Sequence, residues 1–311
     1  MPTVLIAGGT GLIGTALTNY LRSRNYTVII LSRSCKQPFT LTANAVNYAG
    51  WNTDTFTMDA AALSAADYII NLAGAGVADK RWTIKRKNEI RDSRINSGHT
   101  LVKNLKDIPN KVKAFISISA IGWYGADPVI PNTKPFTETD KSDTHFLGET
   151  CRLWEESVEP VTALNIPLIK LRVGIVLSEK GGALREFMKP VKFGLAAILG
   201  SGKQMISWIH IQDLCRMIEY SMIHDPVVGI YNAVAPKPVN NKTLTTALAR
   251  KMKGNFFIPI YVPAFILKIV MGEMSIEVLK SATVSCKKIQ DTGFTFLFPS
   301  IEAALDNLCR R

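Results

Sequence analysis

The sequence predicts an α/β protein: a doubly wound parallel sheet with a smaller C-terminal α/β lobe. Three observations predict it. Short β-branched runs alternate with amphipathic helical stretches from the first residues, a glycine-rich turn joins the first run to the first helix, and the rhythm changes after about residue 174. Strand, helix, strand in this repeating order pairs the strands in parallel and sets helices on both faces of the sheet. A chain of 311 residues is long enough to bury such a sheet and a second lobe.

In order, residues 3–7 read as a buried strand and 12–24 as a helix with Leu12, Ile13, Leu17 and Leu21 on one side. Residues 26–31, 46–49 and 67–72 read as the second to fourth strands. A long, heavily charged helix over 82–105 precedes a strand at 112–119, and a helix over 147–164 precedes a strand at 168–173. Beyond 174, Gly181-Gly182 opens a helix and residues 194–202 read as a loop. Residues 208–213 form a short strand running into a helix at 214–224, 229–235 form another strand, and Pro236 and Pro238 mark a break. Short helices and a segment at 293–299 complete the chain. The expected division is a dinucleotide-binding domain over 1–174, with segments returning to it near 203–235, and a lobe over 175–311 that mainly serves the substrate.

Composition narrows the classes. Hydrophobic residues make up 47% and charged residues 20%, which excludes a disordered chain. The five cysteines are far apart, with neither CxxC nor metal-ligand spacing, so free thiols in a reduced, cytoplasmic setting and no metal are expected. The apolar run at residues 4–7 is a strand rather than a secretory signal. The greasiest stretch, 256–271, is broken by Pro259, Pro263 and Lys268; it is too short to span a bilayer of about 30 Å and reads as a buried element. The net charge of +12 favours anionic partners. Without an aromatic-interleaved basic patch, the expectation is a small-molecule substrate, no nucleic acid and no membrane, and a monomer or homodimer. Binding to nucleic acid or a membrane surface would rest on charge alone.

The strongest chemical signal is AGGTGLIG, with Gly8, Gly11 and Gly14 spaced GxxGxxG between the first strand and the first helix. Such a turn, here Gly8, Thr10, Gly11, Leu12, Ile13 and Gly14, brings backbone N–H groups to a diphosphate at a helix N-terminus; this is the Rossmann arrangement. The second strand ends Leu31-Ser32-Arg33-Ser34, with no carboxylate to hold a ribose 2′-hydroxyl. Arg33 can pair with a 2′-phosphate and Ser32 can donate to it, so NADP(H) is the expected cofactor; the alternative is a merely solvated arginine. Ligands sit beyond the carboxyl ends of parallel strands, which adds Leu72, Ala73 and Gly74 after the fourth strand and Ser117 and Ser119 on the next.

With these residues in hand, the chain resembles the extended short-chain dehydrogenase/reductase family, in particular its YfcH-like "epimerase family protein" group. The strings GGTGLIG, NLAGAGVADKRW, EIRDSR, SISAIGWYG, GGAL, SWIHIQDL and NAVAPKPVNNK follow the family order, and KKIQDTGFTFLFPSIEAAL resembles its C-terminal module. The resemblance implies an NADP-type site over which the segment after NLAG folds, making Glu89 and Arg94 candidate cofactor contacts; a solvated helix face is the competing reading. It also implies catalysis by a Tyr-x-x-x-Lys pair with a nearby serine, in which the lysine lowers the tyrosine pKa for proton exchange.

Here the pattern breaks. Ser119 matches the serine, but Phe146 and Thr150 stand where the pair is expected, and none of the eight tyrosines has a lysine four residues later. His145, which titrates near neutrality when unperturbed, and Tyr124 are the substitutes in view. Glu149 would serve only if burial raised its pKa, and His210 and Asp213 read equally well as structural groups, Asp213 as a helix cap. Two functions stay open: an NADP(H)-dependent oxidoreductase or epimerase acting on a small, nucleotide-sugar-like molecule, and an NADP(H)-binding sensor or assembly protein without hydride chemistry.

Overall fold

The computed structural model describes residues 1–224 and 227–309. Its strands are β1 (Thr3–Ala7), β2 (Thr27–Ser32), β3 (Val46–Asn52), β4 (Thr57–Met58), β5 (Tyr68–Asn71), β6 (Ala114–Ala120), β7 (Leu168–Val173), β8 (Ile175–Leu177), β9 (Leu195–Leu199), β10 (Met205–Ile206), β11 (Trp208–His210), β12 (Gly229–Ala233), β13 (Val239–Asn240) and β14 (Ile258–Val262). The helices are α1 (Leu12–Ser23), α2 (Ala60–Ala65), α3 (Ile84–Asp107), α4 (Phe146–Val158), α5 (Gly182–Lys192), α6 (Ile211–Ile223), α7 (Asn241–Lys253), α8 (Ala264–Met271), α9 (Ser275–Leu279), α10 (Lys287–Asp291) and α11 (Ile301–Leu308).

Eight strands form the main sheet in the order β12-β7-β6-β5-β1-β2-β3-β4, parallel throughout except for the short β3–β4 hairpin. The β1 sequence TVLIA is buried at every position, as a strand covered on both faces must be. Its alternate residues divide between two cores. Val4 and Ile6 pack with α1 and α6 residues such as Leu17 and Ile218, while Leu5 and Ala7 pack with Leu63 of α2 and Leu101 of α3. Each fully buried branched side chain there contributes about 1.5–3 kcal/mol of apolar transfer. The chain winds outward from β1 to β2 and β3 on one side and from β5 to β6, β7 and β12 on the other. The topological switch therefore lies between β1 and β5, which is where a crevice opens beyond the carboxyl ends.

A third core, with Leu184 of α5, Leu244 and Leu248 of α7 and Leu305 of α11, belongs to the C-terminal lobe. Two buried aspartates tie that lobe's chain to the sheet domain. Asp127 accepts from the Ser281 hydroxyl (2.7 Å) and from the Thr283 hydroxyl (2.8 Å) and N–H (3.0 Å). Asp213 accepts the N–H groups of Leu297 (2.8 Å) and Phe298 (2.9 Å).

Four expectations are corrected. Residues 194–202 are not a loop: β9 pairs in parallel with β14, a distant partner whose strand character Pro259 conceals in the sequence. The helix expected at 214–224 begins at Ile211, capped by the His210 ring, whose Nδ1 accepts the Gln212 N–H; Asp213 is thus a tether for the C-terminal segment instead of the cap. The helix expected to reach Leu164 stops at Val158, and a 3-10 turn containing Pro160 follows, because proline cannot supply the next helical N–H. Residues 256–271, read as a buried element, are largely exposed: β14 has no buried residue and α8 buries only Leu267.

Candidate functional site

The cleft at the switch point is shaped first by glycines. Gly8 has φ +81°, and a Cβ on it would lie 2.8 Å from the Leu72 carbonyl carbon and 2.9 Å from the Ala73 nitrogen. A Cβ on Gly14 would lie 2.3 Å from the Gly8 oxygen. The protein's own packing therefore demands both residues: Gly8 lets the loop after β1 touch the loop after β5, and Gly14 lets α1 sit against that loop. Gly11 differs. The nearest atom to a Cβ there, the Gly8 oxygen, is at an ordinary 3.5 Å, so the protein leaves this position uncrowded. Gly11 is also the N-cap of α1 and offers no side-chain cap, whereas Asp59, Thr83, Asn240 and Ser300 cap α2, α3, α7 and α11. The first-turn N–H groups of α1 thus stay available to an anion, with the helix dipole behind them.

Across the loop, the Arg94 side chain lies over Gly74, where a Cβ would come within 3.0 Å of it. Its Nη1 donates to the carbonyls of Ala75 (3.0 Å) and Ile90 (2.8 Å), and its guanidinium carbon sits 4.9 Å from the Trp154 ring centre. No carboxylate pairs with it among the described residues, and burial lowers its pKa from the ordinary arginine value. A desolvated cation with only backbone acceptors is incomplete until an anion reaches it. Glu89, the other candidate from the same helix, is exposed and bound to Arg86 at 2.7 Å, which holds its carboxyl below the usual range. Arg86 is buried and also donates to the Gly76 carbonyl (2.5 Å); it pins the loop after β5, a role that its place in the basic run KRWTIKRK disguised.

Ser117 and Ser119 lie buried on β6, and the Ser119 hydroxyl has no partner beyond the neighbouring Cys151 thiol. Beside it, burial pushes the Cys151 thiol up to about 11, so the thiol stays protonated. At the other end, Ser32 closes β2 with its hydroxyl 3.0 Å from that of Ser34, and Arg33 is exposed. Arg33 lines a cavity of about 450 Å³ with Trp51, Asn52 and Asp54. Those three were missed in the sequence because β3 runs past Ala49 into a hairpin. A second cavity, of about 610 Å³, opens beside Thr10, Gly11 and Leu12 against residues 178–181 and His210.

The acid/base end is different. Phe146 begins α4 with its ring edge-on to Trp82 (5.0 Å between centres), and the Thr150 hydroxyl donates to the Phe146 carbonyl at 2.6 Å. Tyr124 is fully buried and stacked on Phe136; its hydroxyl bonds Asn232 (2.7 Å) and accepts from Arg172 (3.1 Å). Arg172 is fixed in turn by Glu155 (2.8 Å), and burial pushes the Tyr124 phenol up to about 12. His145 stands exposed at the start of α4, its Nδ1 2.9 Å from Asp143, which raises its pKa above the ordinary histidine value. Glu149 is paired with Arg152 at 2.6 Å, which lowers its pKa instead of raising it. His210 is buried, and burial lowers its pKa.

Comparison with known proteins fits this geometry. The profile described as the NAD dependent epimerase/dehydratase family matches residues 4–233. The chain belongs to that family. A second profile, a domain of unknown function (DUF1731), covers residues 262–308. This family member is 35% identical over 306 residues to the epimerase family protein YfhF of Bacillus subtilis, covering 98% of this chain and 97% of that one. It is 33% identical over 305 residues to the epimerase family protein Mb2239 of Mycobacterium bovis, with 97% and 96% covered. Among solved structures it resembles the human epimerase family protein SDR39U1, solved with NADPH, at TM-score 0.83 and 28% identity over 98% of both chains. It also resembles a nucleoside-diphosphate sugar epimerase from Corynebacterium glutamicum, at TM-score 0.77 and 27% identity, over 99% of this chain and 58% of the other.

Proposed function

We propose that this chain is an NADP(H)-dependent oxidoreductase or epimerase acting on a small, nucleotide-sugar-like substrate. The observation that carries the reading is the uncapped, uncrowded start of α1 at Gly11, between two glycines that the protein's own packing already requires. The loop from Gly8 to Gly14 would hold the diphosphate through backbone N–H groups, and Gly74 would let a ribose approach the backbone after β5. Arg33, exposed at the tip of β2 with no ion pair among the described residues, would take the 2′-phosphate with Ser32, against the opposing charge of Asp54 on the same cavity wall. The NADPH solved with the human relative supports the phosphorylated dinucleotide over NAD(H). Arg94, half-buried beside Gly74, would supply the positive charge that the missing lysine otherwise contributes.

A bound nicotinamide supplies hydride exchange; the chain's own residues must orient the substrate and move the proton. Ser119, whose buried hydroxyl has only the Cys151 thiol beside it, would bond a substrate oxygen. His145, with Asp143 holding Nδ1, keeps Nε2 for proton exchange with solvent. Tyr124 is left out, because its hydroxyl is committed to Asn232 and Arg172. That commitment, with Phe146 at the tyrosine position, also favours the second reading, a cofactor-binding sensor without hydride chemistry.

Incubating the protein with NADP+ and nucleotide sugars, and with NADPH and carbonyl compounds, and following nicotinamide absorbance together with epimer composition, separates the two. The proposal expects turnover with at least one compound, reduced in Ser119→Ala. Tight NADPH binding with no turnover on any compound, and none in a metabolite extract, would leave the sensor.

A further inference from the structure

We propose that the β9–β14 edge and α8 form a peripheral docking face for an anionic lipid surface. The face is apolar where a protein of this kind should be polar. Between residues 256 and 276, Phe256 is 88% exposed, Ile269 68%, Val270 69% and Phe265 65%. Helix α8, AFILKIVM, is apolar at every position but Lys268 yet buries only Leu267. A helix of that composition is ordinarily covered, and exposed apolar side chains gathered in one stretch of chain mark a binding face.

Charge identifies the occupant. Phe193 directly follows α5 and Phe256 lies three residues beyond the end of α7, and the Ile258 N–H donates to the Gly194 carbonyl at 2.8 Å, which brings the two segments together. Phe256 shares a surface depression with Arg250, Lys251 and Lys253, and Lys189 and Lys192 close the last turn of α5. Of the cations here, Lys189 pairs with Glu186 and Lys251 with Asp306, while Arg185, Lys192, Arg250 and Lys253 have no carboxylate partner among the described residues. Exposed phenylalanines within a basic rim match an interface with acidic headgroups, where the rings enter the acyl boundary and the cations meet phosphate.

A second copy fits worse. A two-fold contact would lay this patch on itself and set the basic rim against its own image, in a chain already at +12. Pairing through the free strand edge is blunted by Pro259, which has no N–H to give. No helix among the described residues is long and apolar enough to cross a membrane, so the contact would lie on the surface. This departs from the expectation of no membrane partner, under which binding to a membrane surface would have rested on net charge alone. It is independent of the reading of the cleft.

The test is co-sedimentation of the full chain with vesicles of phosphatidylcholine alone or mixed with phosphatidylglycerol, over a range of salt. Wild-type protein is expected to bind only the mixed vesicles and to be released by salt. Phe193→Ser with Phe256→Ser, Ile269→Ser with Val270→Ser, and Lys192→Glu with Lys253→Glu should each weaken binding about tenfold or more. NADPH affinity and melting temperature should remain unchanged in all three, since none of these residues lines the cleft. Failure to bind mixed vesicles at low salt would overturn the proposal. So would light scattering that shows a dimer dissociated by the serine pairs, or equal capture by RNA that those pairs leave intact.

Discussion

The two ends of the cleft would hold their ligands by different means. At the proposed diphosphate end the work would fall to the backbone: Gly8 and Gly14 are fixed by contacts that no Cβ permits, and the uncrowded position is Gly11. At the acid/base end it would fall to side chains, and there the chain has Phe146, Thr150 and a sequestered Tyr124. A backbone cradle tolerates little change, whereas a proton donor can be replaced by any group of suitable reach. One end therefore states its ligand class and the other conceals its reaction.

Substitutions can break this contrast, and the largest effect is expected at Gly14. Gly14→Ala forces a methyl to within 2.3 Å of the Gly8 oxygen, so the loop must move. Calorimetry should show NADPH affinity falling on the order of a hundredfold, and the melt should show a loss of roughly 2–3 kcal/mol. Gly11→Ala has room in the protein alone, so it should keep its melting temperature and still lose affinity; equal melting losses in both would dissolve the distinction between them.

Arg94→Ala comes next. Removing a half-buried guanidinium that lies over Gly74 should weaken NADPH and NADH alike, by about thirtyfold. Arg33→Ala should cost about tenfold for NADPH and almost nothing for NADH. A variant that weakened both equally would show that Arg33 does not read the 2′-phosphate.

Ser119→Ala sharpens the comparison from the other side. The hydroxyl is buried with only the Cys151 thiol beside it, so its removal should leave stability within about 1 kcal/mol or raise it, while any turnover falls. A large destabilisation would mean that the group is structural. The smallest effect concerns His145. Its pKa is raised by Asp143, so the attraction between them is present at low pH and lost as pH rises through the raised histidine value. Asp143 is lowered in turn, chiefly through its bond to His145 acting against its own burial, so the attraction also fails as pH falls through the aspartate's value. The His145 ring resonances should titrate above about 6.5 in the wild type and close to it in Asp143→Asn.

Local signals carried most of what was legible in the chain. Strand β1 and helix α1 are specified by their own residues, and the outer glycines of GxxGxxG, Gly8 and Gly14, mark a steric requirement that the structure shows atom by atom. Strand β9 was hidden because its partner, β14, lies some sixty residues away and contains Pro259; pairing between distant segments leaves no periodic trace. The exposure of α8 was hidden for a related reason, since apolar composition states what a segment avoids without stating what covers it. Arg94 could be suspected from EIRDSR, but its lack of a carboxylate partner is a property of three dimensions.

The central claim is that the Gly8–Gly14 loop and Arg33 together select a phosphorylated nicotinamide dinucleotide. The most direct measurement is titration calorimetry of the purified chain with NADPH and with NADH. The account predicts binding of NADPH about tenfold or more tighter than NADH, with that margin lost in Arg33→Ala. Equal affinity for the two, or heat from neither, would contradict it.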